Sequence, residues 1–134
     1  MEVSIMEEKL QMNIGRENDK YTILTKQGMK IADFCIMPDR QAIRDMSALR
    51  ETIKVLEWRY KLSKNKPSGN KGHTKDLFYY QIAMNAYTIQ KGVPEEGGVI
   101  TIGRIMCPND GLLHKDEVVL NELLKIWHKR IYWS

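Results

Sequence analysis

An amphipathic segment in the middle of the chain is the feature that most constrains the fold. From residue 40 to residue 62 apolar side chains recur at every third or fourth position, and Asp39 precedes them as an N-cap candidate. At 100° per residue, one face collects Ala42, Met46, Leu49, Ile53, Leu56 and Tyr60. The pattern predicts a helix over about 40–62 that packs one face against a core.

The flanking segments predict strands and two further helices. Residues 9–36 alternate apolar and polar side chains between turn signals, which indicates two or three antiparallel strands, and a further strand is expected near 99–106. Residues 75–90 contain no charged side chain after Asp76 and are apolar around most of a helical circumference, which we interpret as a buried helix. An apolar stripe over 115–132 predicts the last helix.

These elements together predict an α+β fold. A small antiparallel sheet, formed by N-terminal hairpin strands and the strand near 99–106, is expected to pack against three helices at about 40–62, 75–90 and 115–132. A chain of 134 residues can bury a core as one domain spanning residues 1–134. Inspection shows no internal repeat. Residues 63–73 (SKNKPSGNKGH) are predicted to form a flexible basic linker.

The positive charge is concentrated in the middle third of the chain. The formal net charge is +4, yet the span from residue 40 to residue 75 holds ten basic residues and only three acidic ones. Such a patch attracts phosphate backbones or an acidic partner. The competing interpretation is a solvated helix face followed by a soluble loop, because lysine-rich loops are common.

Several function classes find no support in the sequence. No run approaches 18 apolar residues and the N-terminus is acidic and polar, so neither a membrane span nor a secretory signal is expected. Two cysteines, Cys35 and Cys107, are too few for a disulfide framework. They favour a reducing compartment, and we therefore expect a cytoplasmic protein.

No catalytic or metal-binding motif emerges from the residue spacings. The glycine-containing stretch 69–75 does not match a phosphate loop, and the three histidines, His73, His114 and His128, share no ligand spacing. Neither a metal site nor a cofactor is predicted. An enzyme built from scattered residues stays open as a third alternative, although nothing in the sequence favours one.

The basic segment favours association with nucleic acid, largely through phosphate contacts. Trp58 lies on the polar face of the predicted helix, where its ring would stack on a base. The opposing interpretation is that Val55, Trp58 and Leu62 form a second apolar stripe that packs. The predicted nucleic-acid-binding residues are Arg44, Arg50, Lys54, Trp58, Lys61, Lys64, Lys66, Lys71 and Lys75.

The alternative function is a protein-interaction or assembly module without catalytic activity. Its basis is a surplus of apolar side chains in the uncharged segment from residue 77 to residue 90 and in the aromatic end Ile131-Tyr132-Trp133. Homo-oligomer interfaces are apolar in this way. The two functions are compatible, because an oligomer repeats its basic patch. A viral or mobile-element origin is a hypothesis that no residue tests.

Overall fold

A computed structural model describes residues 12–60, 64–70, 74–83, 86–106 and 114–133. Six strands and two helices make up this part of the chain. The strands are β1 (Met12–Glu17), β2 (Lys20–Thr25), β3 (Lys30–Cys35), β4 (Leu77–Ala83), β5 (Ala86–Val93) and β6 (Gly98–Met106). The helices are α1 (Ala42–Arg59) and α2 (His114–Tyr132).

All six strands form one antiparallel sheet in the order β1-β2-β3-β6-β5-β4. Two three-stranded meanders therefore meet at the centre, where β3 pairs with β6. Asp33 lies opposite Arg104 at this junction, flanked by the pairs Ala32–Ile105 and Phe34–Gly103. From either edge, the first three strands are consecutive in the chain and run from the edge to the centre of the sheet.

The two halves of the chain repeat one βββα unit about an approximate two-fold axis at the Asp33–Arg104 pair. Thr22 of β2 lies opposite Asp33, and Thr88 of β5 lies opposite Arg104. A short sequence match accompanies this equivalence, because Tyr-Thr-Ile occurs at 21–23 and again at 87–89. The repeat escapes sequence inspection because few other residues match between the two halves.

The core lies between one face of the sheet and the two helices. The ring of Phe34 stacks on Trp127 of α2 with centroids 4.5 Å apart, and Trp127 Nε1 donates to Thr52 Oγ1 of α1 at 3.1 Å. We call this sheet surface the covered face. Its buried strand residues include Tyr21, Ile23, Ala32, Phe34, Tyr87, Ile89 and Ile105.

Two buried ion pairs link the ends of the antiparallel helices. Arg59 at the end of α1 donates through Nε to Asp116 Oδ1 at the start of α2 at 2.5 Å, and Arg130 donates through Nε to Asp45 Oδ1 at 2.8 Å. In each helix the arginine follows the aspartate by 14 residues. The pairs are therefore reciprocal, and each half supplies one acid and one base.

The predicted α+β class is confirmed in broad terms, but the prediction of three helices is wrong. The segment 75–90 forms the hairpin strands β4 and β5, so the described residues contain two helices and a sheet of six strands. The error has a physical reason. Leu77 and Tyr79 face the core while Phe78 and Tyr80 face away, so both faces of the strand are apolar and no period of two is visible.

The remaining element predictions agree with the structure within a few residues. Helix α1 begins after Gln41, and the Asp39 carboxylate accepts from the Gln41 amide at 3.1 Å instead of capping the helix. The predicted linker is described over 64–70. There Lys125 Nζ of α2 donates to Ser68 Oγ at 2.7 Å, and Gly69 lies against Val118.

Candidate functional site

We call the sheet surface opposite the helix-packed core the open face; on it Thr22, Asp33 and Thr88 are buried, whereas Arg104 and Tyr80 are exposed. The strand register aligns one residue from each strand in a row across it, and the two ends of this row are Gly15 and Tyr80. Crossing from β1 to β4, the row reads Gly15, Thr22, Asp33, Arg104, Thr88 and Tyr80.

Two aromatic side chains stand exposed on the β4 end of the open face. Phe78 is 38% exposed and Tyr80 is 45% exposed, although aromatic side chains in strands usually pack. Their equivalents on β1, by the two-fold relation, are Asn13 and Gly15. The equivalent strand β1 therefore carries no aromatic residue at these two positions. We name Phe78 and Tyr80 the aromatic strip.

The centre of the open face is polar and carries one exposed cation. Arg104 is exposed, whereas Asp33 beside it is buried and pairs with Lys30 Nζ at 3.3 Å. Between Arg104 and the aromatic strip, Gln90 Nε2 donates to Thr101 Oγ1 at 3.4 Å. This arrangement places a guanidinium two strands from an exposed aromatic pair, a combination suited to a flat, anionic ligand.

Of the sequence-predicted site residues that the structure describes, two have internal contacts, Arg44 and Trp58, and the others are exposed. Arg44 is held internally, because its Nη2 donates to the carbonyl of Arg130 at 2.9 Å and to that of Trp133. Trp58 is half-buried and packs against the core, as the opposing interpretation proposed. Lys75 is exposed, with Nζ 5.5 Å from the centre of the Tyr132 ring.

The remaining predicted cations divide between the helix layer and the loop that follows it. Arg50 and Lys54 are exposed on α1, and Lys64 and Lys66 are exposed beyond its end. These four stay a prediction as phosphate contacts. Lys61 and Lys71 lie outside the described residues. Arg59 added to the charge count of the segment, yet it is 1% exposed and paired with Asp116.

A cleft of about 700 Å³ opens between the β1–β2 turn, the loop after β3 and the start of α1. Its buried acid is Asp45, whose Oδ2 has no hydrogen-bond partner among the described residues. Burial and the neighbouring Asp45 carboxylate raise the pKa of Tyr21, which also lines the cleft.

Asp39 and Arg130 tie the loop before α1 to α2. Arg130 Nη1 and Nη2 donate to the two Asp39 oxygens at 2.9 and 2.6 Å. These hydrogen bonds hold the pKa of Asp39 well below its usual range and raise that of Arg130. The contacts are internal, so we assign this pair a structural role.

Within the described ranges, no three His, Cys, Asp or Glu side chains cluster so that they could hold a metal ion. Cys35 is half-buried, and burial raises the pKa of its thiol, which disfavours the nucleophilic thiolate. His128 is buried and its ring lies 4.8 Å from that of Tyr132, whereas Cys107 and His73 lie outside the described residues.

Sequence reasoning missed the open face. The adjacent aromatic residues Phe78, Tyr79 and Tyr80 carry a strand signal, because aromatic side chains favour strands, but a helical interpretation hid it. Arg104 lies 24 residues after Tyr80 in the sequence. The two residues come onto the same row of the sheet only through the pairing of β4 with β5 and of β5 with β6.

Comparison of the chain with protein-family models, with curated proteins and with solved structures found no match. None of the helices in the described part of the chain is both long and apolar enough to cross a membrane. The candidate function therefore rests on the geometry of the open face.

Proposed function

We propose that the chain associates with single-stranded nucleic acid through its open face. The observation that carries the proposal is the aromatic strip, which is exposed in one half of the molecule and replaced by Asn13 and Gly15 in the other. Antiparallel sheets that bind single strands use exposed aromatic residues as stacking platforms for bases. The two cysteines, too few for a disulfide framework, support a cytoplasmic setting.

The charges of the open face support a phosphate contact beside the stacked bases. Arg104 supplies an exposed guanidinium, and Lys20 on the same face is also exposed. The buried Asp33 carboxylate is neutralised by Lys30, so it adds little repulsion. Because an aromatic ring stacks on any base, we expect weak sequence preference. Single strands are favoured over duplexes, because a duplex keeps its bases stacked inside.

Fluorescence anisotropy with labelled 20-nucleotide single strands of DNA and RNA tests the proposal. Phe78→Ala and Tyr80→Ala should each weaken binding by about 1–3 kcal/mol, roughly 5- to 150-fold. Arg104→Ala should make the negative slope of log affinity against log salt concentration shallower by about 1. Ile43→Ala is the control, because Ile43 is a large apolar residue that is 87% exposed on α1. It should bind as the wild type does.

The same assay distinguishes the open face from the helix surface predicted by sequence. If Arg50→Ala and Lys54→Ala weaken binding while the two aromatic variants do not, the ligand lies on the helix layer and the open-face proposal is wrong. Absence of binding at low salt would remove both versions, because the electrostatic contribution is largest there.

We propose self-association as a second property. The supporting observation is that β4 lies at the edge of the sheet and contains no charged residue from Leu77 to Ala83. Sedimentation at micromolar concentration tests this property, and a stable monomer would contradict it.

A further inference from the structure

Within the described residues, no strand pairs with the outer edge of β4, so the outward backbone groups of alternate residues in this seven-residue strand have no strand partner there. Natural proteins usually blunt such edges with charged side chains, proline, a β-bulge or a covering element. In β4 the only such feature among the described residues is a register shift between Gln81 and Ala83. The segment Leu77–Ala83 has no charged residue and no proline, and its side chains Phe78, Tyr80 and Ile82 are each at least 38% exposed.

The opposite edge of the sheet shows how this fold protects a strand. β1 is equivalent to β4 by the internal two-fold relation, and it carries the exposed charges Arg16 and Glu17. The centre of β1 is Gly15, which has no side chain. A Cβ at this position would lie only 2.8 Å from Thr22 Oγ1. Within the described residues, the β1 edge thus carries charged side chains, whereas the equivalent β4 edge carries none.

The sequence of β4 is complementary to itself in an antiparallel arrangement. A register centred on Tyr80 places Tyr80 opposite Tyr80 of a second copy and Phe78 opposite Ile82, which lies within the register shift of β4 between Gln81 and Ala83. Aromatic–aromatic and aromatic–β-branched combinations are favourable cross-strand pairs, and no like charges face each other within the strand.

We propose that β4 pairs antiparallel with β4 of a second copy of this chain, about a two-fold axis at Tyr80. This inference rests on the proposed self-association and is independent of nucleic-acid binding. The pairing joins two six-stranded sheets into one continuous sheet. It also brings the two aromatic strips side by side at the centre of a shared open face, because sheet extension leaves side-chain directions unchanged.

A charge-swap experiment at Tyr80 tests the interface. Because Tyr80 faces itself across the axis, Tyr80→Lys and Tyr80→Glu each place like charges opposite one another. By analytical ultracentrifugation without nucleic acid, each variant alone should dissociate at least about tenfold more readily than the wild type. An equimolar mixture should recover a dimer, because Lys then faces Glu. Glu17→Lys on the β1 edge is the control and should leave the wild-type dimer intact.

Amide hydrogen exchange of the wild-type chain gives a second measurement that needs no variant. Exchange in β4 should slow as the protein concentration rises through the dimer dissociation constant, while exchange in β1 stays constant.

The outcomes separate the interface from self-association. A wild-type monomer at micromolar concentration, with concentration-independent exchange, overturns both. A wild-type dimer that persists in both Tyr80 variants, with β4 exchange unprotected, overturns the β4 interface and leaves self-association standing.

Discussion

Gly103 lets the aromatic stack of the core lie flat against β6. A Cβ built at this position would lie 2.2 Å from Phe34 Cδ1 and 2.8 Å from the carbonyl oxygen of Asp33. The Phe34 ring cannot retreat, since its other face stacks on Trp127. The glycine is therefore required by close approach, at the strand junction where the two halves of the molecule meet.

We predict that Gly103→Ala destabilises the fold by about 1–3 kcal/mol, because the added methyl group overpacks a closed core. Urea unfolding followed by Trp fluorescence measures the loss as a lower midpoint. Gly98→Ala in the same strand is the matched control, because no atom lies within 4 Å of its Cβ position. Equal midpoints for the two variants would show that the Phe34–Trp127 stack can move.

Single residues of the candidate site were only partly predictable. The exposed cations Arg50 and Lys54 follow from helical periodicity, because a helix places its polar positions on one side. Arg44 and Arg59 have the same pattern but bind internal partners, which depend on where α2 packs. A sequence pattern gives the face of a residue and not its partner.

At the scale of elements, the reciprocal ion pairs fix how α1 lies against α2. Arg59 and Asp116 are 1% and 2% exposed, so both charges have lost their contact with water. The attraction between them compensates for this loss of hydration. Their two-fold equivalents Asp45 and Arg130 perform the same task at the other end. Sliding either helix by one turn would separate both pairs together.

We predict that Asp116→Ala costs about 3–5 kcal/mol, because it leaves the Arg59 guanidinium buried without its carboxylate. The double variant Arg59→Met/Asp116→Leu should recover most of that loss, since an apolar pair removes the desolvation penalty. Chemical denaturation of the three proteins measures both effects. A double variant as unstable as Asp116→Ala would show that the pair is needed for packing and not only for charge balance.

The helices were predictable from sequence and the β4–β5 hairpin was not. In α1 and α2 charged residues lie opposite an apolar stripe, so the 3.6-residue period stands out. In β4 the open face is as apolar as the covered face, so the period of two disappears. The failed prediction includes β4, whose outward aromatic residues we assign to base stacking, and function is expected to override patterning at such a place.

At the scale of the whole molecule, one core holds both halves together. Phe34 of the first half packs on Trp127 and Gly103 of the second, and both buried ion pairs cross between the halves. Neither βββα unit can cover its own sheet and neutralise its own buried charges.

We predict that fragments 1–70 and 71–134 do not fold separately but fold when mixed. Each fragment alone should lack a cooperative thermal transition by circular dichroism, because its half of the core is exposed to water. An equimolar mixture should regain one transition. Cooperative unfolding of either fragment alone would contradict the shared core.

Because the repeat lies within a single chain, equivalent surface positions of its two halves can carry different residues, which is impossible in a symmetric pair of identical subunits. Two identical polypeptides must carry every substitution twice, once on each side of their axis. Here the halves are encoded separately, so Tyr80 can serve a ligand while Gly15 keeps the corresponding position bare. A substitution on the open face of one half therefore need not change the core that both halves share.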